Sequence, residues 1–223
     1  MNYAIAIDGP AGAGKSTIAK ILAKELELIY VDTGALYRTI GYYVTSQGIS
    51  TADTEAVVAA LPSLTVELKY VDGVQRVFAN GEDVSDLIRT PAISMAASAV
   101  SAIPAVRAYL LDTQRNIAAS HSVVMDGRDI GTVILPDAKV KIYLSASPEA
   151  RAQRRYDELQ AKGDPATYEE VLADMIKRDY DDMHREIAPL KQAEDAIPVD
   201  TSGETLEESV AKIKDIVYKK LAE

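Results

Sequence analysis

The segment Gly9-Pro-Ala-Gly-Ala-Gly14-Lys15-Ser16 carries the most explicit chemistry in this chain. It fits the pattern G-x-x-x-x-G-K-[ST] in full, in which glycines let the backbone curl until several N–H groups face one anion. An apolar run, Tyr3 to Asp8, precedes it, and a helical pattern follows from Lys15. The loop therefore opens onto a helix N-terminus, where aligned peptide dipoles favour negative charge. Gly9, Pro10, Ala11, Gly12, Ala13, Gly14, Lys15, Ser16 and Thr17 are expected to hold the phosphates of a nucleotide. Lys15 would reach the β- and γ-phosphates, and the Ser16 hydroxyl would ligate Mg²⁺. The same cradle serves switches, motors and kinases, so it fixes a class of ligand and not a reaction. The Asn-Lys-x-Asp loop that reads guanine in switches does not occur in the sequence.

Phosphoryl transfer is largely positioning and neutralisation of charge. Arginine suits that task because its planar fork binds phosphate through two parallel hydrogen bonds. Arg38 falls one turn into a helix that follows Asp32-Thr-Gly-Ala-Leu-Tyr. Arg128, in Asp126-Gly-Arg-Asp129, follows a strand end, the place where open α/β sheets bind ligands. Asp126 could set a carboxylate near Mg²⁺ through water. Arg151, Arg154 and Arg155 share one helical face at i, i+3 and i+4, and Arg178, Asp182 and Arg185 share another stripe at i, i+4 and i+7. Each also has an ordinary account: a solvated helix arginine for Arg38, a surface ion pair of Arg128 with Asp129, solvated charged faces for the two helices.

The elements that must position these residues read as follows. Tyr3 to Asp8 is a buried strand, Lys15 to Leu28 a helix with Ile18, Ile21, Leu22 and Leu26 at helical spacing, Leu28 to Val31 a second strand, and Asp32-Thr33-Gly34 leads into a helix through Tyr43. Strand, helix, strand signals a crossover unit and an α/β fold. Leu64 to Tyr70 and Val74 to Ala79 break the rhythm as a hairpin turned at Asp72-Gly73, an inserted lobe. Pro91 to Ile103 is rich in Ala and Ser, and Ala105 to Ala119 is helical. Strands resume at Ser122 to Asp126 and Val140 to Leu144. Two charged helices, Pro148 to Lys162 and Thr167 to Ile187, are split by Gly163-Asp164-Pro165. A short strand, Ile197 to Val199, and an amphipathic helix, Glu204 to Leu221, close the chain.

With 223 residues there is enough chain for one full core with small inserted lobes. A composition of 48% apolar and 26% charged residues is globular and argues against disorder. No apolar run approaches the roughly 18 residues that span a bilayer, and the Met1-Asn2-Tyr3-Ala4-Ile5 start lacks a basic leader, so neither a membrane nor secretion is expected. The absence of cysteine removes disulfides and thiolate metal sites and fits a cytoplasmic location. A net charge of −10 makes nucleic acid a poor partner, and no heptad pattern calls for an oligomer, so a monomer is expected.

Taken in order, Gly9 to Ser16, Asp32-Thr-Gly-Ala-Leu-Tyr-Arg38, Ile88-Arg-Thr90 with its Ala/Ser-rich sequel, Asp126-Gly-Arg-Asp-Ile-Gly-Thr132 and Arg178-Asp…His-Arg185 resemble the bacterial cytidylate kinase family over essentially the whole chain. The Asp-Gly-Arg-Asp-x-Gly-Thr segment is specific to that family among nucleoside monophosphate kinases. The resemblance implies an α/β P-loop kinase core with a parallel sheet flanked by helices, an inserted monophosphate-binding lobe with a β-hairpin, and a helical lid. Residues 1–223 would form a single P-loop kinase domain, with 33–104 as that lobe and 151–166 as the lid. It implies transfer of the γ-phosphoryl of ATP to CMP or dCMP, with Mg²⁺ as cofactor and those nucleotides as the partners. Carried over by position, Ser98, Arg107, Arg178 and Asp182 look like the cytosine-side readers and Asp32 like the pentose contact. Asp129, a further substrate-binding candidate, would hold Arg128 in place or, like Asp126, orient water around Mg²⁺. Arg38, Arg128 and Arg185 look like the clamp on the acceptor phosphate. Lys15, Arg128 and Arg154 are the catalytic candidates, Arg154 standing among the lid arginines with Arg151 and Arg155. Thr33 replaces the serine of many members, and Ser16 stands where some have glycine.

Overall fold

The computed structural model describes residues 2–71 and 74–223, so the expected turn at Asp72-Gly73 lies outside the described residues. These form two compact units: Met1–Tyr30 with Ala118–Glu223, and Val31–Ile117.

In chain order, the first unit opens with strand β1 (Ala4–Asp8), helix α1 (Lys15–Glu25) and the start of strand β2 (Ile29–Asp32). The second holds α2 (Thr33–Ser46), α3 (Thr54–Ala60), a 3₁₀ turn at Leu61–Ser63, strands β3 (Val66–Val71), β4 (Val74–Ala79) and β5 (Glu82–Asp83), α4 (Pro91–Ser101) and most of α5 (Pro104–Ser120). The chain returns to the first unit with β6 (Val123–Gly127), a π-helical turn at Ile130–Ile134, β7 (Val140–Ser145), α6 (Pro148–Gln160), α7 (Tyr168–His184), β8 (Ile197–Asp200) and α8 (Leu206–Ala222).

The main sheet has the order β2-β6-β1-β7-β8, with β1 paired in parallel to β6 and β7, and β7 to β8. Central parallel strands are covered on both faces, which is why β1 and β6 are nearly continuous apolar runs and almost wholly buried. Register sets the site: Asp8 pairs with Gly127 on one side and Tyr143 on the other. The loops after β1 and β6 therefore leave the same edge of the sheet. Ile5, Ile7, Ile18, Leu22, Val124, Ile142, Leu144, Ile213 and Val217 pack beneath that edge.

The second unit has its own core, built from Leu36, Ile40, Val44, Val57, Val77, Ile88, Val100 and Leu110. Here α2 and α4 nearly touch; a Cβ on Gly41 would lie 3.0 Å from the Ala97 nitrogen. The expected hairpin is present, with Val66 opposite Ala79 and Val71 opposite Val74, and β5 adds a third antiparallel strand. Among the described residues no single helix is long and apolar enough to cross a membrane.

Candidate active site

The loop after β1 is shaped by close approach. Gly9 lies against β7, where a Cβ would come within 1.9 Å of the Leu144 carbonyl oxygen. Gly12 and Gly14 both take left-handed φ values, 73° and 88°, which are open to glycine without strain. Gly14 stands at the N-cap of α1 and offers no side-chain cap, whereas Asp32, Ser147, Thr167 and Thr205 each cap the helix that follows them. The first N–H groups of α1 are thus left to an external acceptor.

Lys15 is 5% exposed and folds back so that Nζ donates to the Pro10 carbonyl at 2.6 Å. Burial and the neighbouring Arg128 push its pKa down to about 7, against the pull of Asp126, Asp182 and Asp8. The Ser16 hydroxyl donates to Asp126 at 2.8 Å, and the Tyr30 hydroxyl donates to the other carboxylate oxygen at 2.9 Å. A hydroxyl and a carboxylate side by side are hard oxygen donors of the kind Mg²⁺ accepts while keeping water and substrate oxygens as its other ligands. No cluster of three or more metal-binding side chains occurs among the described residues.

The loop from Gly12 to Thr17 lines a hollow of about 380 Å³ together with Arg154, Glu158, Thr201 and the start of α8. Arg154 is fixed at its rim by donation from Nη2 to the Thr201 carbonyl at 2.7 Å. The other two arginines of that face have different surroundings. Arg151 is 2% exposed and ion-paired to Asp179, and Arg155 pairs with exposed Glu158 at 3.0 Å.

At the end of β6, Arg128 Nε donates to Asp182 at 2.7 Å. Burial lifts the Asp182 pKa, but Arg128, with Arg185 and Arg178, outweighs it and holds the carboxyl below its usual value. Arg185 lies 3.8 Å from Asp182 and 3.5 Å from Asp129 and donates through Nε to the Ala188 carbonyl at 2.7 Å. The first unit thus brings Arg128, Asp129, Arg178, Asp182 and Arg185 into one charged group. Asp8, which sequence reading passed over, anchors the segment that carries Arg128. It accepts from the Ile130 and Gly131 N–H groups at 2.8 and 2.7 Å, and burial raises its pKa to about 6.

In the second unit, Asp32 caps α2 by accepting from the Ala35 N–H at 2.8 Å and pairs with Arg38 at 2.9 Å. Arg89, part of the Ile88-Arg-Thr90 stretch but given no role from the sequence, joins it at 3.2 Å. Burial would raise the Asp32 pKa, but the two guanidiniums hold it down. Arg107 donates to the Ser101 carbonyl at 3.3 Å and sits over the Tyr37 ring, while the Ser101 hydroxyl donates to the Ser98 carbonyl at 2.8 Å. Ser98 and Arg107 therefore share one corner of α4 and α5.

As a class, this architecture is a P-loop kinase: a phosphotransferase whose backbone cradles polyphosphate while cations neutralise it. The cytidylate kinase family model matches residues 5–219. A curated cytidylate kinase of Carboxydothermus hydrogenoformans is 50% identical over 216 residues, covering 97% of each chain. That of Lactobacillus gasseri is 49% identical over 216 residues, 97% of this chain and 94% of its own. A solved structure of an uncharacterised protein from Eubacterium ventriosum shares the fold, with a TM-score of 0.51 at 12% identity over 97% of this chain and 98% of that one. The chain belongs to the cytidylate kinase family, and its role is that of a nucleoside monophosphate kinase.

Proposed function

We propose that the chain transfers the γ-phosphoryl of ATP to CMP or dCMP, giving ADP and CDP or dCDP. The observation that carries this reading is the uncapped start of α1 behind a glycine loop, with Lys15, Ser16 and Asp126 at the same sheet edge. The loop N–H groups from Gly9 to Thr17 hold the donor phosphates, and Lys15 neutralises charge on the group in flight. Ser16, with Asp126 beside it, holds Mg²⁺, which when bound supplies charge neutralisation on the phosphate oxygens. Arg154, at the rim of the hollow, faces the donor nucleotide as the lid arginine, and 151–166 serves as the lid rooted at Arg151.

For the acceptor, Arg38, Arg128 and Arg185 clamp the monophosphate, Asp129 supports Arg185, and Asp32 takes the pentose. Residues 33–104 form the acceptor lobe. Ser98, Arg107, Arg178 and Asp182 read cytosine: a carboxylate accepts from the exocyclic amine, while hydroxyl and guanidinium donate to N3 and O2. Uracil offers a carbonyl in place of the amine, and a mismatch of that type costs about 1–3 kcal/mol. No general base is needed, because the acceptor phosphate dianion is already nucleophilic.

A coupled assay with ATP·Mg²⁺ and each of CMP, dCMP, UMP and AMP tests the reading. Turnover is expected with the cytidine nucleotides ahead of UMP, and ATP hydrolysis without acceptor is expected to be far slower. Equal turnover of AMP, or hydrolysis as fast as transfer, would overturn it.

A further inference from the structure

Arg151 lies where a cradle has its weakest point. When loop N–H groups are turned inward to an anion, the matching carbonyls turn outward and need partners of their own. In a trans peptide, the carbonyl of residue i and the N–H of residue i+1 point in opposite directions. No cis peptide occurs among the described residues. Arg151 Nη1 donates to the Ala11 carbonyl at 2.8 Å, so the Gly12 N–H is directed away from Arg151. Gly12 is one of the residues lining the hollow.

The guanidinium is itself held on every side. Nε donates to the Ala146 carbonyl at 2.8 Å, and the two Nη groups reach the Asp179 carboxylate at 3.1 and 2.5 Å. Packing follows the same line. Ala11 clusters with Ala152 and Leu159 of α6 and with Val171 and Met175 of α7. A Cβ on Gly12 would come within 3.3 Å of the Met175 thioether and 3.4 Å of the Arg151 Cβ. Two helices thus press the peptide between Ala11 and Gly12 from outside, and one buried fork sets its rotation.

We propose that Arg151 and Asp179 are positioning residues for the donor nucleotide: Asp179 orients the fork, the fork fixes the peptide between Ala11 and Gly12, and the Gly12 N–H is aimed at phosphate before ATP arrives. Of the three clustered arginines, Arg151 acts through the loop and does not touch the transferred group. The proposal rests on the ATP site described above. Asp179 stands on α7 next to Arg178 and three residues before Asp182, so the strut also ties the loop to the base-reading helix.

The test compares Asp179→Asn, which keeps size and one acceptor, with Arg151→Lys, which keeps charge but loses the fork. Loss of one well-aimed hydrogen bond to phosphate corresponds to about a tenfold rise in KM for ATP. The KM for CMP should stay within about twofold and kcat within about threefold. Arg151→Lys, which removes the fork that holds the Ala11 carbonyl, should raise the KM for ATP at least as much as Asp179→Asn, and it is read alone should Asp179→Asn fail to fold. A variant that unfolds at lower urea yet keeps the wild-type KM for ATP would overturn the proposal and make the pair a stability strut only. Calorimetry with ATP separates the two levels: no binding by the wild-type protein sinks the functional reading itself, whereas equal affinity in wild type and variants sinks only the positioning role.

Discussion

Lys15 makes a proton-linked prediction. In the substrate-free protein its ammonium is buried against the Pro10 carbonyl, with Arg128 nearby, and the pKa stands at about 7. At pH 8 a group with that pKa is only about one-tenth protonated. Bound ATP·Mg²⁺ brings about two net negative charges to the same place, and opposite charge favours the protonated form. ATP binding should therefore take up roughly 0.9 proton at pH 8, about 0.5 at pH 7 and close to none at pH 6. Calorimetric titration of ATP·Mg²⁺ in buffers of differing ionisation enthalpy reads this directly, because the slope of observed heat against buffer enthalpy is the number of protons exchanged. Lys15→Met should abolish the slope. Linkage gives the accompanying stability effect. The folded state binds fewer protons than the unfolded one between pH 7 and 10.5, so the cost of burying the ammonium is full below pH 7 and disappears as pH rises to 10.5. Lys15→Met should accordingly be more stable than wild type near pH 6.5, with the gap closing in base. Zero slope at pH 8 with ATP bound, or the same slope in Lys15→Met, would refute the reasoning.

Asp8 and the Arg128–Asp182 pair give two more expectations. With its pKa raised from 3.8 to about 6, Asp8 contributes stability below pH 3.8 that is lost as pH rises through 6. Two pH units correspond to about 3 kcal/mol. Relative to Asp8→Asn, wild type should lose that much between pH 4 and 7 in urea unfolding, and parallel profiles would contradict it. Arg128→Ala removes the nearest cation from a carboxylate that is 7% exposed and should cost about 3 kcal/mol at pH 7, besides lowering transfer. Arg128→Ala with Asp182→Ala should cost less than the sum of the single changes, and strict additivity would show that the two are not coupled.

The parts of this fold that sequence pattern reaches are those governed by local period and local turn chemistry. Tyr3 to Asp8 followed by a glycine loop and Ile18, Ile21, Leu22 and Leu26 is enough to place β1, the cradle and the start of α1 within a residue, although α1 ends at Glu25, three residues before the expected Leu28. The hairpin pairing from Val66 to Ala79 follows from its β-rich runs. Helix α3 escaped because its seven residues bury only Val57 and offer no period to read. The π-helical turn at Ile130–Ile134 escaped for a different reason: the Asp8 carboxylate, more than a hundred residues away in sequence, holds its first N–H groups. Helical spacing put Arg151, Arg154 and Arg155 on one face, but it could not tell that Arg151 is buried on Asp179 while Arg155 stays with exposed Glu158. Arg89 stood in the Ile88-Arg-Thr90 stretch, but its role was not legible there; only the tertiary approach of its segment to Asp32 shows it.

The contact between Gly9 and the Leu144 carbonyl also bears on drug resistance. Even alanine would drive a methyl group into the backbone of a central strand. An inhibitor that leaned on the Gly9 main chain would thus meet a target with no single-codon route of escape at that site, since every replacement displaces β7 before it weakens the drug.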